Sequence, residues 1–174
     1  MSRHASFPPV VDDRVETLVL GSLPGAASLA AGRYYAHPRN QFWRLLGAVI
    51  GIDLAGLAYE ERLQTLLAHR IGLWDVIAEA ERAGSLDAAI RNHAANDLQA
   101  LVASLPRLRV VAFNGGTAAR IGMAQLGALA QRFRIVRLPS SSPAHAVPFD
   151  VKLQEWQTVG NSTNDSARLP NVML

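Results

Sequence analysis

Cysteine is absent from the 174 residues, which excludes disulfides, thiolate-held metals and a cysteine nucleophile and makes a reducing cytoplasm the expected compartment. Lysine occurs once, at Lys152, against sixteen arginines, so chemistry through an amine has one candidate. No apolar run approaches the roughly 18 residues of a membrane span. Residues 1–13 lack the apolar core of a signal peptide, and a soluble intracellular protein is expected. Acidic residues are missing from residues 17–52 and 98–149. Those windows hold Arg33, Arg39, Arg44, Arg107, Arg109, Arg120, Arg132, Arg134 and Arg137, a charge of +9 against −6 for the rest of the chain and +3 overall. Such asymmetry suits a polyanion partner and predicts a basic edge on the protein. A core-rich stretch with a few solvated arginines would look the same.

Hydrophobic residues make up 49% of the chain, enough for one compact domain burying roughly 70% of its unfolded surface. The expected domain is residues 1–160, followed by a loose tail over 161–174. Residues 16–20 (Glu-Thr-Leu-Val-Leu) read as a buried strand running into the turn Gly21-Ser22-Leu23-Pro24-Gly25, followed by a loop. From Gln41 the positions Phe42, Trp43, Leu45, Leu46, Val49 and Ile50 recur at helical spacing, with Asn40 as N-cap and Gly51 as the stop. A second helix is expected over residues 59–69 and a strand over 71–74. Residues 75–96 are polar and weakly patterned, with helical pieces that are hard to bound. Asp97 caps a predicted helix burying Leu98, Leu101, Val102 and Leu105. Residues 109–113 form the clearest strand, followed by Asn114-Gly115-Gly116-Thr117 and a helix to about Leu126. A further strand over 133–138 leads into Pro139-Ser140-Ser141-Ser142-Pro143, and a last helix over 148–159.

Strands separated by helices indicate parallel βαβ units with helices on both faces. The loops after the first, third and fourth strands then converge on the carboxyl edge, where open α/β sheets bind ligands.

The loop of residues 21–25 matches neither G-x-G-x-x-G nor G-x-x-x-x-G-K-[ST], although its glycines let backbone N–H groups approach a ligand or phosphate. Residues 34–43 gather four of the eleven aromatics beside arginines. One ring there can stack on a base while Arg39 meets phosphate, with Phe42 and Trp43 in the core. Asn40 can cap a helix and still reach a substrate. Asn114 offers a donor and an acceptor to a base edge and is equally an Asn-Gly turn residue. Ser140, Ser141, Ser142 and Pro143 can grip a phosphate backbone, or form an ordinary Ser-Pro loop. A serine hydrolase lacks its G-x-S-x-G elbow, and five scattered histidines with no H-E-x-x-H spacing argue against zinc.

Three ordered motifs carry a resemblance: Gly21-Ser22-Leu23-Pro24-Gly25 with Ser28-Leu29, then Tyr34-Tyr35-Ala36-His37-Pro38-Arg39-Asn40 with Phe42-Trp43, and finally Leu138-Pro139-Ser140-Ser141-Ser142-Pro143-Ala144. In this order they resemble the uracil-DNA glycosylase superfamily, most closely its hypoxanthine-DNA (deoxyinosine) branch and secondarily the mismatch-specific uracil/thymine glycosylases. The resemblance spans residues 15–156. It implies a three-layer α/β/α fold around a four-stranded parallel sheet, and a partner, DNA carrying a deaminated base, whose lesion base is extruded into a pocket. Tyr35 matches the aromatic that stacks on the flipped base, Asn114 the base-edge residue, and Ser140 to Pro143 the backbone grip, with Ser22 and Leu23 beside the base. Leu23 stands where the superfamily commonly has Asp or Asn, a loss the hypoxanthine branch shares. The resemblance therefore gives the leading catalytic role to Asn40. Ala144 takes the place of a bulky wedge, leaving His145 as the candidate to fill the gap in the duplex.

Breaking a C1′–N bond builds positive charge on the sugar and negative charge on the base. With no carboxylate in either window, electrostatic stabilisation is expected to dominate, although Asp75 and Asp150 can approach through the fold. A backbone N–H facing O6 would admit hypoxanthine and reject adenine. These readings predict a monomeric, monofunctional enzyme that leaves an abasic site without metal or cofactor. Uracil or G·T sites are the alternative substrates, and a non-catalytic nucleic-acid-binding module is the alternative class.

Overall fold

The computed structural model describes residues 3–82 and 85–160, so the tail expected over 161–174 lies outside the described residues. A four-stranded, fully parallel sheet forms the centre, in the order β3 (Ile71–Asp75), β2 (Thr17–Gly21), β6 (Val110–Asn114), β7 (Arg134–Leu138). Alternate side chains of these strands feed two cores, as the two-residue period of a strand requires. Leu18, Leu20, Val111 and Phe113 pack with Leu98 and Val102 of α4 (Leu98–Ser104) and with Ala118 and Ile121 of α5 (Gly116–Leu126). Val19, Leu73, Ala112 and Val136 pack with α2 (Phe42–Ile50), α3 (Tyr59–Ala68) and α6 (Phe149–Trp156). The result is the three-layer α/β/α architecture expected from the sequence.

The predicted strands and main helices are present, with ends moved by a residue or two. Helix α2 starts at Phe42, its N-cap is Gln41, and Gly51 closes it at φ 75°, the left-handed conformation that glycine adopts without penalty. Asp97 caps α4 by accepting the Ala100 N–H at 3.0 Å.

Three readings change. The loop after residue 25 contains a short helix, α1 (Ala26–Ala31). The polar lead-in supplies a strand, β1 (Arg3–Ala5). The middle segment, expected to hold helical pieces, instead forms β4 (Ile77–Arg82) and β5 (Ile90–Ala95), and β1, β4 and β5 make a separate antiparallel sheet. Register shifts in the β4–β5 pairing break the strict alternation by which such strands are recognised. Strand β4 starts two residues after β3 ends, where Val76 and Ile77 donate to the Gly21 and Ser22 carbonyls at 2.9 and 3.1 Å, and so the small sheet flanks the carboxyl edge of the main sheet.

Candidate active site

At that edge lies a cavity of about 600 Å³, within the range of roughly 300–1,000 Å³ usual for small-ligand sites. Its wall contains Ser22, Leu23, Tyr35, Asn40, Asn114, Ser140, Ser141, Ser142, Pro143 and His145, so the fold gathers ten of the eleven site residues expected from the sequence. Arg39 stands outside the wall, exposed on the adjoining loop, where its N–H donates to His37 Nδ1 at 3.0 Å.

Tyr35 is held in an uncommon backbone state, with φ 53°, a conformation that persists in a non-glycine residue only when its surroundings fix it. Its ring stacks on Phe42 at 3.8 Å between centroids and 15° between planes, and the residue also lines the cavity. Phe42 and Trp43 are core residues, as expected. Burial and the neighbouring Asp75 push the Tyr35 hydroxyl well above the ordinary phenol range, so it stays neutral. That hydroxyl accepts from Asn114 Nδ2 at 3.3 Å.

Asn114 is largely committed within the protein. Its Oδ1 accepts the Ser141 N–H, and its Nδ2 donates to Ser141 Oγ, both at 2.9 Å, which ties the end of β6 to the serine loop. Ser141 in turn accepts the Gln41 N–H at its carbonyl, linking the loop to the start of α2. The Ser142 carbonyl accepts from Lys152 Nζ at 3.2 Å. Lys152 is buried beneath the loop and does not line the cavity. Asn40 precedes the N-cap instead of forming it, yet its Oδ1 accepts the Phe42 N–H at 3.0 Å. No hydrogen bond from Asn40 Nδ2 to a described residue is present.

The absence of acids from both windows does not carry over to the site. Asp75 ends β3 directly opposite Gly21, and Asp87 comes from the turn between β4 and β5; both line the cavity. Asp87 accepts from Ser22 Oγ at 2.7 Å and pairs with Arg82 at 3.6 Å. Arg82 is itself buried and donates to the Leu23 and Pro24 carbonyls, fixing the first motif loop. Asp75 is 3% exposed. Burial, and then the Asp87 charge, push its carboxyl up to about 7 against the opposing pull of Arg82. Asp150 is exposed on α6 and takes no part in the wall. Sequence reading missed Asp87 because nothing in a weakly patterned segment marks a residue as folding back onto a distant loop. Among the described residues, no group of three His, Asp or Glu side chains is arranged to hold a metal ion.

The basic edge also needs correction. Arg107 and Arg109 precede β6, and Arg132 and Arg134 lie at the start of β7, which places them at the amino edge, opposite the cavity. A window of sequence spans both ends of a strand, so absence of acids along it does not assign its arginines to one face.

Known proteins resemble this chain over most of its length. The chain is 47% identical over 113 residues, covering 65% of its length and 72% of the relative, to a protein of Methanosarcina barkeri named hypoxanthine DNA glycosylase. It is 40% identical over 153 residues, 88% of its length and 95% of the relative, to a protein of the same name from Methanosarcina acetivorans. The solution NMR structure of a candidate uracil DNA glycosylase from Methanosarcina acetivorans superimposes with a TM-score of 0.83 at 38% identity, covering 94% of this chain and 99% of that one. Residues 8–159 match the family model of the uracil DNA glycosylase superfamily, and the chain belongs to that superfamily.

Proposed function

We propose that this chain is a monofunctional DNA glycosylase that hydrolyses the N-glycosidic bond of a deaminated base, hypoxanthine first among them, and leaves an abasic site. The observation that carries this reading is the cavity at the sheet's carboxyl edge. There a strained, stacked tyrosine, an asparagine amide and a serine-rich loop surround a space large enough for an extruded nucleotide. The names of the two Methanosarcina relatives support hypoxanthine as the base. In this reading the protein acts as a monomer.

In this reading Tyr35 covers one face of the flipped base. Asn40, with Oδ1 fixed by the helix start, uses Nδ2 to orient water or bond the base. Asn114 contributes mainly by fixing Tyr35 and Ser141, since its Nδ2 is already engaged. Backbone N–H groups near Ser22 and Leu23 meet O6 and reject adenine, whose amino group would face them donor to donor. Ser140, Ser142 and Pro143 hold the phosphate backbone, with Arg39 beside them. His145 is exposed and lines the cavity, and so does Leu86, which is 56% exposed. An apolar side chain there suits insertion into the stack left open by extrusion.

The test incubates duplexes carrying a single inosine, xanthine, uracil or G·T site with the protein, followed by alkaline cleavage. Cleavage is expected at inosine, reduced about 10²–10³-fold in Asn40→Ala, the usual range for a lost transition-state hydrogen bond. Binding without cleavage at any site would instead identify a non-catalytic module, and cleavage at uracil alone would remove the purine assignment.

A further inference from the structure

We propose that Asp75 is the general acid of this site, donating its carboxyl proton to a ring nitrogen of the departing purine. The proposal rests on the glycosylase reading above and adds to it a carboxyl, which the motif loops do not contain.

Placement comes first. Asp75 is the last residue of β3, in register with Gly21 of β2, and its main-chain carbonyl accepts from Asn96 Nδ2 at 2.7 Å. A Cβ on Gly21 would lie 2.7 Å from Asp75 Oδ1 and 2.8 Å from the Tyr35 hydroxyl. The missing side chain is what lets the carboxyl and the aromatic face the same space. Oδ2 is buried with no hydrogen-bond partner, and no described residue donates to Oδ1. An ionised carboxylate so placed would lose solvation at Oδ2 and gain no protein donor at either oxygen, so the neutral acid is the favoured form. The charged groups around it act in both directions: Asp87 from the β4–β5 turn favours the proton, and Arg82 from β4 opposes it. Tyr34 and Tyr35, from the loop before α2, remain neutral phenols under the same burial. His37 and His145 line the cavity only from its exposed rim.

The chemistry then follows. A purine leaving as an anion is a poor leaving group, and a proton placed on its ring lowers the barrier. As the C1′–N9 bond breaks, its electron pair goes to the purine, and the Asp75 O–H bond gives its proton to a ring nitrogen, releasing neutral base. Water oxygen bonds to C1′, and the proton it sheds returns to the Asp75 carboxylate. No further reactant is consumed. Asp87 cannot serve as readily, because Ser22 donates to it and Arg82 pairs with it.

The experiment measures single-turnover inosine excision from pH 5 to 9 with wild type, Asp75→Asn and Asp75→Glu, alongside binding of each to inosine-containing duplex. Wild type is expected to lose rate tenfold per pH unit above about pH 7. Asp75→Asn should be slower by about 10²–10⁴-fold at pH 6, the span of general acid catalysis, with a flat profile and unchanged binding. Asp75→Glu should recover part of the rate together with the alkaline limb. The proposal fails if Asp75→Asn keeps the alkaline limb or stays within threefold of wild type, or if neither variant binds DNA. A wild type inactive on every lesion base would refute the glycosylase reading itself.

Discussion

Asp75 has a consequence for stability that is independent of DNA. An aspartate titrates near 3.9 in an unfolded chain, whereas burial raises it to about 7 here. Between those values the folded protein holds more protons than the unfolded one, so stability falls as pH rises from about 4 to about 7 and levels off above. The shift corresponds to a cost on the order of 4 kcal/mol at pH 8 as an upper figure. Asp75→Asn keeps the shape and removes the titration. Its melting temperature should therefore exceed that of wild type by a margin that widens between pH 5 and pH 8, measured by calorimetry. An unchanging margin would show that the carboxyl does not titrate in this range. A site that keeps a destabilising group in this way gives up stability for chemistry, a common arrangement in active sites.

At the scale of elements, legibility followed pattern. Helix α2 was readable because six apolar residues repeat at 3.6 spacing up to Gly51, and β6 because Val110, Val111, Ala112 and Phe113 form an unbroken apolar run buried on both faces. The antiparallel sheet was not, because shifted pairing erased its alternation. Its fold-back is also what brings Arg82 and Asp87 to the motif loop, so the missed element and the missed site residue share one cause. Tyr35, Asn40 and the serine loop were visible as motifs, but the commitment of Asn114 to Ser141 depends on two strand ends meeting. Helix α6 shows a similar dependence, since Lys152 reaches the Ser142 carbonyl from beneath. Burial depresses the pKa of that ammonium, and a buried cation with one hydrogen bond adds little to stability. Lys152→Met should leave the melting temperature equal or higher while weakening DNA binding about tenfold. Tenfold is about 1.4 kcal/mol, a size that one unit charge reaches at an effective dielectric near 20. A clear loss of melting temperature would make Lys152 a structural anchor instead.

For the whole molecule, a net charge of +3 conceals how the charge is placed. The sheet separates the arginines by edge: Arg39 sits on a loop next to the cavity, while Arg107 is exposed just before β6 at the far end. Affinity for DNA depends on salt through the number of phosphates neutralised, with a slope of about −0.9 per contact on duplex. Placement, and not the count of arginines, should therefore set that slope. Fluorescence anisotropy with a labelled inosine duplex between 50 and 200 mM salt, run as a titration of each variant, separates the two. Arg39→Gln is expected to reduce the slope by about one contact and to weaken binding at 50 mM salt. Arg107→Gln removes the same charge and should leave both quantities unchanged. Equal losses in the two variants would mean that DNA responds to the total field of the protein, and the cavity edge would no longer be distinguished as the surface that meets the phosphates.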